Sequence, residues 1–89
     1  MKIVVTIIGQ DRIGIVAKIS TALAEAEVNI MDINQNIMNG FFNMVMIADM
    51  QRATLPLDAL QKKLADVGRA LGVDVKIQHE DIFNAMHRI

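Results

Sequence analysis

The sequence of 89 residues is 53% hydrophobic, lacks cysteine and carries a formal net charge of -1 at pH 7. A chain of this length forms one domain, and its apolar content excludes disorder. The missing cysteines exclude disulfides and thiolate metal sites, and the charge gives no attraction to nucleic acid or an anionic membrane. Its apolar runs are too short for a signal or membrane segment, so we expect a cytoplasmic protein.

The first half of the sequence predicts a strand, a helix and a second strand. Lys2–Ile8 is a β-branched run that is apolar on both faces, which is typical of a central strand. Ile15–Ala26 carries apolar residues at helical spacing, and Asp11 suits the N-cap of that helix. Val28–Met38 then alternates as a strand. Asn39–Gly40 predicts a two-residue hairpin turn after it.

The second half repeats this order after the hairpin. Phe41–Met50 predicts a third strand, again apolar on both faces. Pro56 suits the first turn of a second helix and Gly72 suits its C-terminal end. Val73–Gln78 alternates as a fourth strand, and Glu80–Ile89 predicts a short helical tail. The chain therefore divides into one domain over residues 1–80 and a tail over residues 81–89.

The order β-α-β-β-α-β predicts the fold class α+β. With right-handed crossovers it gives a ferredoxin-like sandwich, in which a four-stranded antiparallel sheet carries both helices on one face. The apolar residues of the other face then need cover. Self-association is the simplest way to supply it, so we expect a homo-oligomer.

One strand-to-helix turn has the composition of a binding site. Gln10–Val16 places an acid, a base and a glycine before the first helix, where free backbone N–H groups favour an anion. A purely structural turn would also need this glycine. The second strand-to-helix connection, Gln51–Leu55, contains no glycine. Asn29, Asp32 and Gln35 form a second polar group, although each of them alone has a structural explanation.

Catalytic and metal-binding chemistry are the alternatives. Arg12 and Asn43 are the residue types that an acyl-phosphate hydrolase uses to orient an anion and a water, but the turn lacks the small residues of a phosphate cradle. His79 and His87 lie near two acidic residues without the spacing of a ligand set. The sequence therefore predicts no metal, no cofactor and no enzyme activity.

A longer pattern in the first half consists of Asp11–Ala17, Ile19–Ser20, Leu23–Ala24, Asn29–Ile30, Asp32–Ile33 and Gln35. This pattern resembles the ACT domain. It is most similar to the ACT modules of the glycine cleavage repressor and formyltetrahydrofolate deformylase, and to small single-ACT proteins of bacteria. The resemblance implies the βαββαβ fold and a regulatory module that binds amino acids. Such modules commonly act as dimers with ligands between two modules.

The resemblance also implies which residues bind. Backbone N–H groups around Ile13 and Gly14 would take the ligand carboxylate, with Gly14 required because a Cβ would crowd the ligand or the turn. Val16 would shape the wall. Asn29 and Asp32 would come from the other module, the latter facing an ammonium group. The implied ligand-binding residues are Asp11, Arg12, Ile13, Gly14, Ile15, Val16, Asn29, Ile30, Asp32 and Gln35.

We therefore expect a stand-alone ACT-domain regulatory protein. It would bind a small amino acid or related metabolite at a subunit interface, as a dimer or a dimer of dimers, and signal through a partner protein. Two alternatives stay open. The first is an oligomerisation or protein-interaction module without a ligand, and the second is an acylphosphatase-like enzyme.

Overall fold

The computed structural model describes residues 1–86 and confirms the predicted order of elements, with a third helix at the end. The elements are β1 (Lys2–Gln10), α1 (Ile15–Glu25), β2 (Asn29–Met38), β3 (Phe41–Asp49), α2 (Leu57–Leu71), β4 (Val73–His79) and α3 (Glu80–Met86). The strand ends differ from the prediction by one or two residues. Gln10 pairs with Phe41 and belongs to β1, whereas the sequence predicts it in the turn.

The four strands form one antiparallel sheet in the order β2-β3-β1-β4. The two strands that were predicted to be apolar on both faces, β1 and β3, are the central ones. β2 and β4 are the edges. The pairing of β2 with β3 shifts register between Ile30 and Asp32, so Met31 forms a β-bulge in the edge strand.

The main core lies between the sheet and the helices α1 and α2. Alternate residues of β1 and β3 point into it, because side chains of a strand alternate between its faces. The helices add the apolar stripes that helical spacing predicted. The largest side chains that the core buries completely, or almost so, are Ile3, Ile7, Ile15, Ile19, Leu23, Phe42, Met44, Met46, Leu60 and Leu64.

Two predicted chain reversals are confirmed by their backbone angles. Asn39 and Gly40 have φ values of 53° and 80°, and two consecutive positive angles identify a type I′ hairpin turn. Gly72 caps the C-terminus of α2 in the left-handed conformation, with φ 74°. Pro56 is the N-cap of α2, one position before the first helical turn where the sequence placed it.

The third helix lies on the sheet face opposite α1 and α2. Gln78 pairs with Val4, so both side chains point to the same face, and Val4 is buried without belonging to the main core. The Nε2 group of Gln78 donates to the Sδ atom of Met86 at 3.5 Å, which places α3 over this face. Ile82 and Met86 stay exposed, whereas His87 and Ile89 lie outside the described residues.

Candidate functional site

The loop between β1 and α1 presents the start of a helix without a side-chain cap. Gly14 is the N-cap residue, and the first helical hydrogen bond runs from the Lys18 N–H to the Gly14 carbonyl at 2.9 Å. The backbone N–H groups of residues 15–17 come before Lys18 in the chain, so they have no carbonyl partner within the helix. They lie at the positive end of the helix dipole and make this terminus suitable for an anion.

Gly14 is required for its backbone angle. Its φ is +94°, in the left-handed region that L side chains rarely adopt. A Cβ built there would meet nothing within 4 Å. The expectation that a Cβ would crowd the turn is therefore wrong, and the constraint is the strain that any side chain would meet at this φ.

Two hydrogen bonds hold the loop on either side. The backbone N–H of Asp11 donates to the Gly40 carbonyl at 2.8 Å, which ties the loop to the β2–β3 hairpin. The Nη1 group of Arg12 donates to the Leu71 carbonyl at 3.0 Å, where a cation is favourable at the C-terminus of α2. The predicted N-cap role of Asp11 is wrong, because Gly14 occupies that position.

The apolar residues of the loop point in different directions. Ile15 is buried in the core, so only its backbone N–H can face a ligand. Val16 is 37% exposed and Ile13 is 99% exposed. A branched aliphatic side chain in full contact with water is unfavourable by about 2 kcal/mol relative to burial. Ile13 is therefore a candidate contact for another molecule.

The second predicted group lies along β2. Asn29 is exposed at the start of the strand, and Ile30 is partly buried against the core. Beyond the bulge, Asp32 pairs with Ile47 on the face that α3 partly covers. Gln35 pairs with the buried Met44 and so points to the helix side. The strand therefore sends Asp32 and Gln35 to opposite faces of the sheet.

A polar cavity of about 320 Å³ opens beside Asn29, and sequence reasoning missed most of its lining. The Oδ1 atom of Asp49 lies 3.8 Å from the N-terminal ammonium group and accepts the Gln51 N–H at 2.9 Å. The βαββ order brings the chain around residue 27 and the chain after residue 49 to one end of the sheet. The order of elements could therefore have predicted that these residues lie close together. The lining residues are Glu27, Asn29, Asp49, Gln51 and Arg52.

The structure does not bring the two predicted groups together within one chain. The loop at Gly14 is bonded to the hairpin that follows Met38, whereas Asn29 begins the same ten-residue strand at its other end. At about 3.3 Å per residue the two ends of β2 are roughly 30 Å apart. No small ligand can bridge that length inside one subunit.

The strand that separates the groups is an exposed edge. Each of its ten residues is exposed or only partly buried. On the sheet face that carries α1 and α2, the side chains of Ile33 and Ile37 are 46% and 51% exposed, although both residues pair with buried residues of β3. An edge strand of this kind is a template for pairing with another chain.

The described residues show neither a metal cluster nor a membrane helix. Among residues 1–86, no group of three or more His, Asp or Glu side chains is arranged to hold an ion. His79 accepts the backbone N–H of Asp81 at 3.0 Å through Nδ1. No helix in this part of the chain combines the length and apolarity that crossing a bilayer requires.

Comparison with known proteins identifies the family. A family model described as the ACT domain matches residues 1–78. A UPF0237 protein of Methanosarcina acetivorans is 49% identical over 88 residues, which cover 99% of this chain and 96% of that protein. An ACT domain protein from Streptococcus pneumoniae has a TM-score of 0.82 and 33% identity, covering 98% of both chains. A formyltetrahydrofolate deformylase from Pseudomonas syringae aligns at TM-score 0.80 and 26% identity, over 88% of this chain and 27% of the deformylase.

Proposed function

Since the chain belongs to the ACT domain family, a family of regulatory modules, we propose that it is a homodimer that binds a small amino acid or related metabolite between its subunits. One observation carries this proposal. Asn29 and the loop that carries Gly14 lie at opposite ends of the exposed edge strand β2.

Antiparallel pairing of two β2 strands would join the separated groups. In such a two-fold arrangement the start of one strand lies beside the end of the other. Asn29 of one subunit then lies near the hairpin of the second. The loop that carries Gly14 is bonded to that hairpin through the Asp11 N–H and the Gly40 carbonyl. Each dimer would contain two equivalent composite sites.

The exposed apolar residues favour this association. Ile33 and Ile37 point to the helix side of the sheet at its open edge, and Ile13 projects from the loop. Pairing of β2 strands would bury the first two against their counterparts and would satisfy the free backbone groups of the edge. Ile13 would gain a contact with the second subunit near its Asn29.

The ligand would then be held by both subunits. Its carboxylate would accept N–H groups at the start of α1, around Gly14 and Ile15 of one subunit. Asn29 and the backbone at Ile30 of the other subunit would complete the site, with Asp32 facing the ammonium group. Gln35 lies in the middle of the paired strands, and Asp11 and Arg12 would keep the loop in place through their bonds to Gly40 and Leu71.

The regulatory effect would require a second protein. A ligand that tightens the subunit interface changes the surface that the dimer presents, and a partner protein must respond to this change. We place this output, and the protein itself, in the cytoplasm. An oligomerisation module without a ligand is the second candidate, because the exposed residues Ile13, Ile33 and Ile37 favour association whether or not the sites are filled.

Sedimentation and a thermal-shift screen test the proposal together. We expect a dimer, and an increase in Tm with at least one of the twenty amino acids. At a hundredfold excess over Kd, binding adds about 2.7 kcal/mol of stability, which is about 11–22 °C for a domain of this size. A dimer without any shift would favour the oligomerisation module, and a monomer would contradict the proposed site.

A further inference from the structure

We propose that the cavity beside Asn29 selects an acidic amino acid, with Arg52 binding its side-chain carboxylate. This inference rests on the proposed function, because the cavity adjoins the half-site that Asn29 contributes. Its volume of about 320 Å³ is at the lower end of ordinary ligand pockets and suits a small metabolite. Glu27 and Arg52 supply free charges of opposite sign.

Asp49 is already engaged inside the subunit. Its Oδ1 atom lies 3.8 Å from the N-terminal ammonium group and accepts the Gln51 N–H at 2.9 Å. Both contacts hold this carboxylate against its own subunit. Asp49 therefore lines the cavity in a fixed position, and Glu27 and Arg52 are its remaining charged residues.

Glu27 and Arg52 are available to a ligand. Within residues 1–86, neither side chain takes part in an ion pair or a side-chain hydrogen bond. Glu27 has φ 57° at the end of α1, where its N–H donates to the Ala24 carbonyl at 3.0 Å. The backbone of this residue is therefore fixed while its carboxylate stays free.

The composite site would carry charges of both signs. The start of α1 in one subunit is positive, and the cavity of the other subunit is lined by the negative Glu27 and the positive Arg52. Glu27 would add to the attraction of Asp32 for an ammonium group. A complementary ligand carries a carboxylate, an ammonium group and a second carboxylate. Aspartate and glutamate have this pattern, and the planar guanidinium of Arg52 matches a carboxylate in a bidentate manner. Neutral amino acids would leave Arg52 without a partner.

Calorimetric titration of the full chain with L-aspartate, L-glutamate, L-asparagine, L-glutamine and L-serine tests the inference. We expect the better of the two acidic amino acids to bind at least tenfold more tightly than its amide. Arg52→Ala should remove this preference while amide binding stays within about twofold. Arg69→Ala, which removes an exposed arginine on α2 that pairs with Asp66 at 3.2 Å, should change neither affinity.

The outcomes separate the two proposals. Tightest binding of a neutral amino acid by the wild-type dimer would overturn the selection by Arg52 and leave the interface site standing. A preference for acidic amino acids that persists in Arg52→Ala would likewise overturn the selection by Arg52 and leave the interface site standing. No binding of any amino acid would overturn both. Arg52→Ala should keep the Tm and the dimer of the wild type, which separates a loss of selectivity from a loss of structure.

Discussion

The two edge strands of the sheet, β4 and β2, differ in how far the rest of the chain buries them. At β4, the inward residues Val73, Val75 and Ile77 are buried under α2, and the Nε2 group of Gln61 donates to the Ile77 carbonyl at 2.8 Å. At β2, the inward residues beyond the bulge are about half exposed. The helix α2 covers the β4 edge, whereas the inward side chains of the β2 edge remain exposed to solvent.

Gly68 explains the close cover of β4. A Cβ at this position would lie 2.6 Å from the Cγ2 atom of Val75 and 2.9 Å from the Val73 carbonyl oxygen, so α2 approaches the strand as only glycine permits. The helix α1 offers no such cover to the far half of β2. The difference supports the proposal that association and binding use the β2 edge, while the packing at β4 contributes to the stability of the subunit.

Blocking the close approach at β4 should have the largest effect on stability. Gly68→Leu overpacks the contact between α2 and Val75, and we expect a loss of about 3 kcal/mol in the free energy of unfolding. The Tm should fall by more than about 12 °C. Ala70→Leu adds a large side chain on the exposed side of the same helix and should be nearly neutral. Thermal melts compare the two, and equal effects would contradict the packing described at Gly68.

Charging the open edge should affect assembly instead of folding. Ile33→Glu places two carboxylates at the proposed interface of each dimer, so the dimer dissociation constant should rise at least about a hundredfold, or roughly 3 kcal/mol. The monomer should keep its circular dichroism spectrum, because Ile33 is already half exposed. Ile82→Glu changes a similarly exposed residue on α3 and should leave sedimentation unchanged. A dimer that tolerates Ile33→Glu would place the interface elsewhere.

Gly14 separates backbone strain from binding. Gly14→Val forces a β-branched residue to φ +94° and should lower stability by about 1–3 kcal/mol. Because the change turns the N–H groups of the first helical turn, the amino-acid response in thermal shift should disappear while the dimer persists. Gly72→Val has a similar strain at φ +74°. Its Cβ would lie 3.6 Å from the Nη1 atom of Arg12, an ordinary van der Waals distance, so the response should be largely retained. If Gly14→Val unfolds completely, the glycine is required for folding, and its assignment to the binding site loses support.

Arg12 should give the smallest effect. Arg12→Ala removes the hydrogen bond to the Leu71 carbonyl and should cost about 1 kcal/mol, or about 4–8 °C in Tm. The amino-acid response should weaken less than in Gly14→Val, because the helix N–H groups remain. Arg69→Ala is the control. It removes an exposed ion pair with Asp66 on α2 and should change stability by less than about 0.5 kcal/mol. Acetyl-phosphate hydrolysis that depends on Arg12 would instead favour the acylphosphatase alternative.

Local sequence signals predicted most of the fold. Asn39–Gly40 predicted its turn because only residues that tolerate positive φ suit it, and the apolar stripes of both helices predicted the core. Asp11 failed as an N-cap because the chain stays extended through Gln10 and then bonds to the hairpin at Gly40. That bond depends on a residue 29 positions away, and periodicity carries no information about it.

The candidate site was only partly accessible to sequence reasoning. The composition of the turn at Gly14 and the polar group at Asn29 are visible in the sequence, and the resemblance implies a shared binding role for them. Their separation along β2 follows only from the pairing of the strands. Glu27 and Arg52 belong to no recognisable motif. They meet at one cavity because α1 ends and β3 ends at the same end of the sheet. Tertiary contacts of this kind leave no local signature.

Mixing two binding-deficient variants tests the composite site most directly. Gly14→Val and Asn29→Ala homodimers should each lose binding of the amino acid that shifts the wild-type Tm. A heterodimer assembled from both has one doubly altered site and one intact site. Calorimetric titration of the mixed, reassembled sample should therefore recover binding in the heterodimer fraction, with wild-type affinity and one site per heterodimer. If the mixture stays as inactive as its parents while heterodimers form, the two groups do not meet across the interface and the account is contradicted.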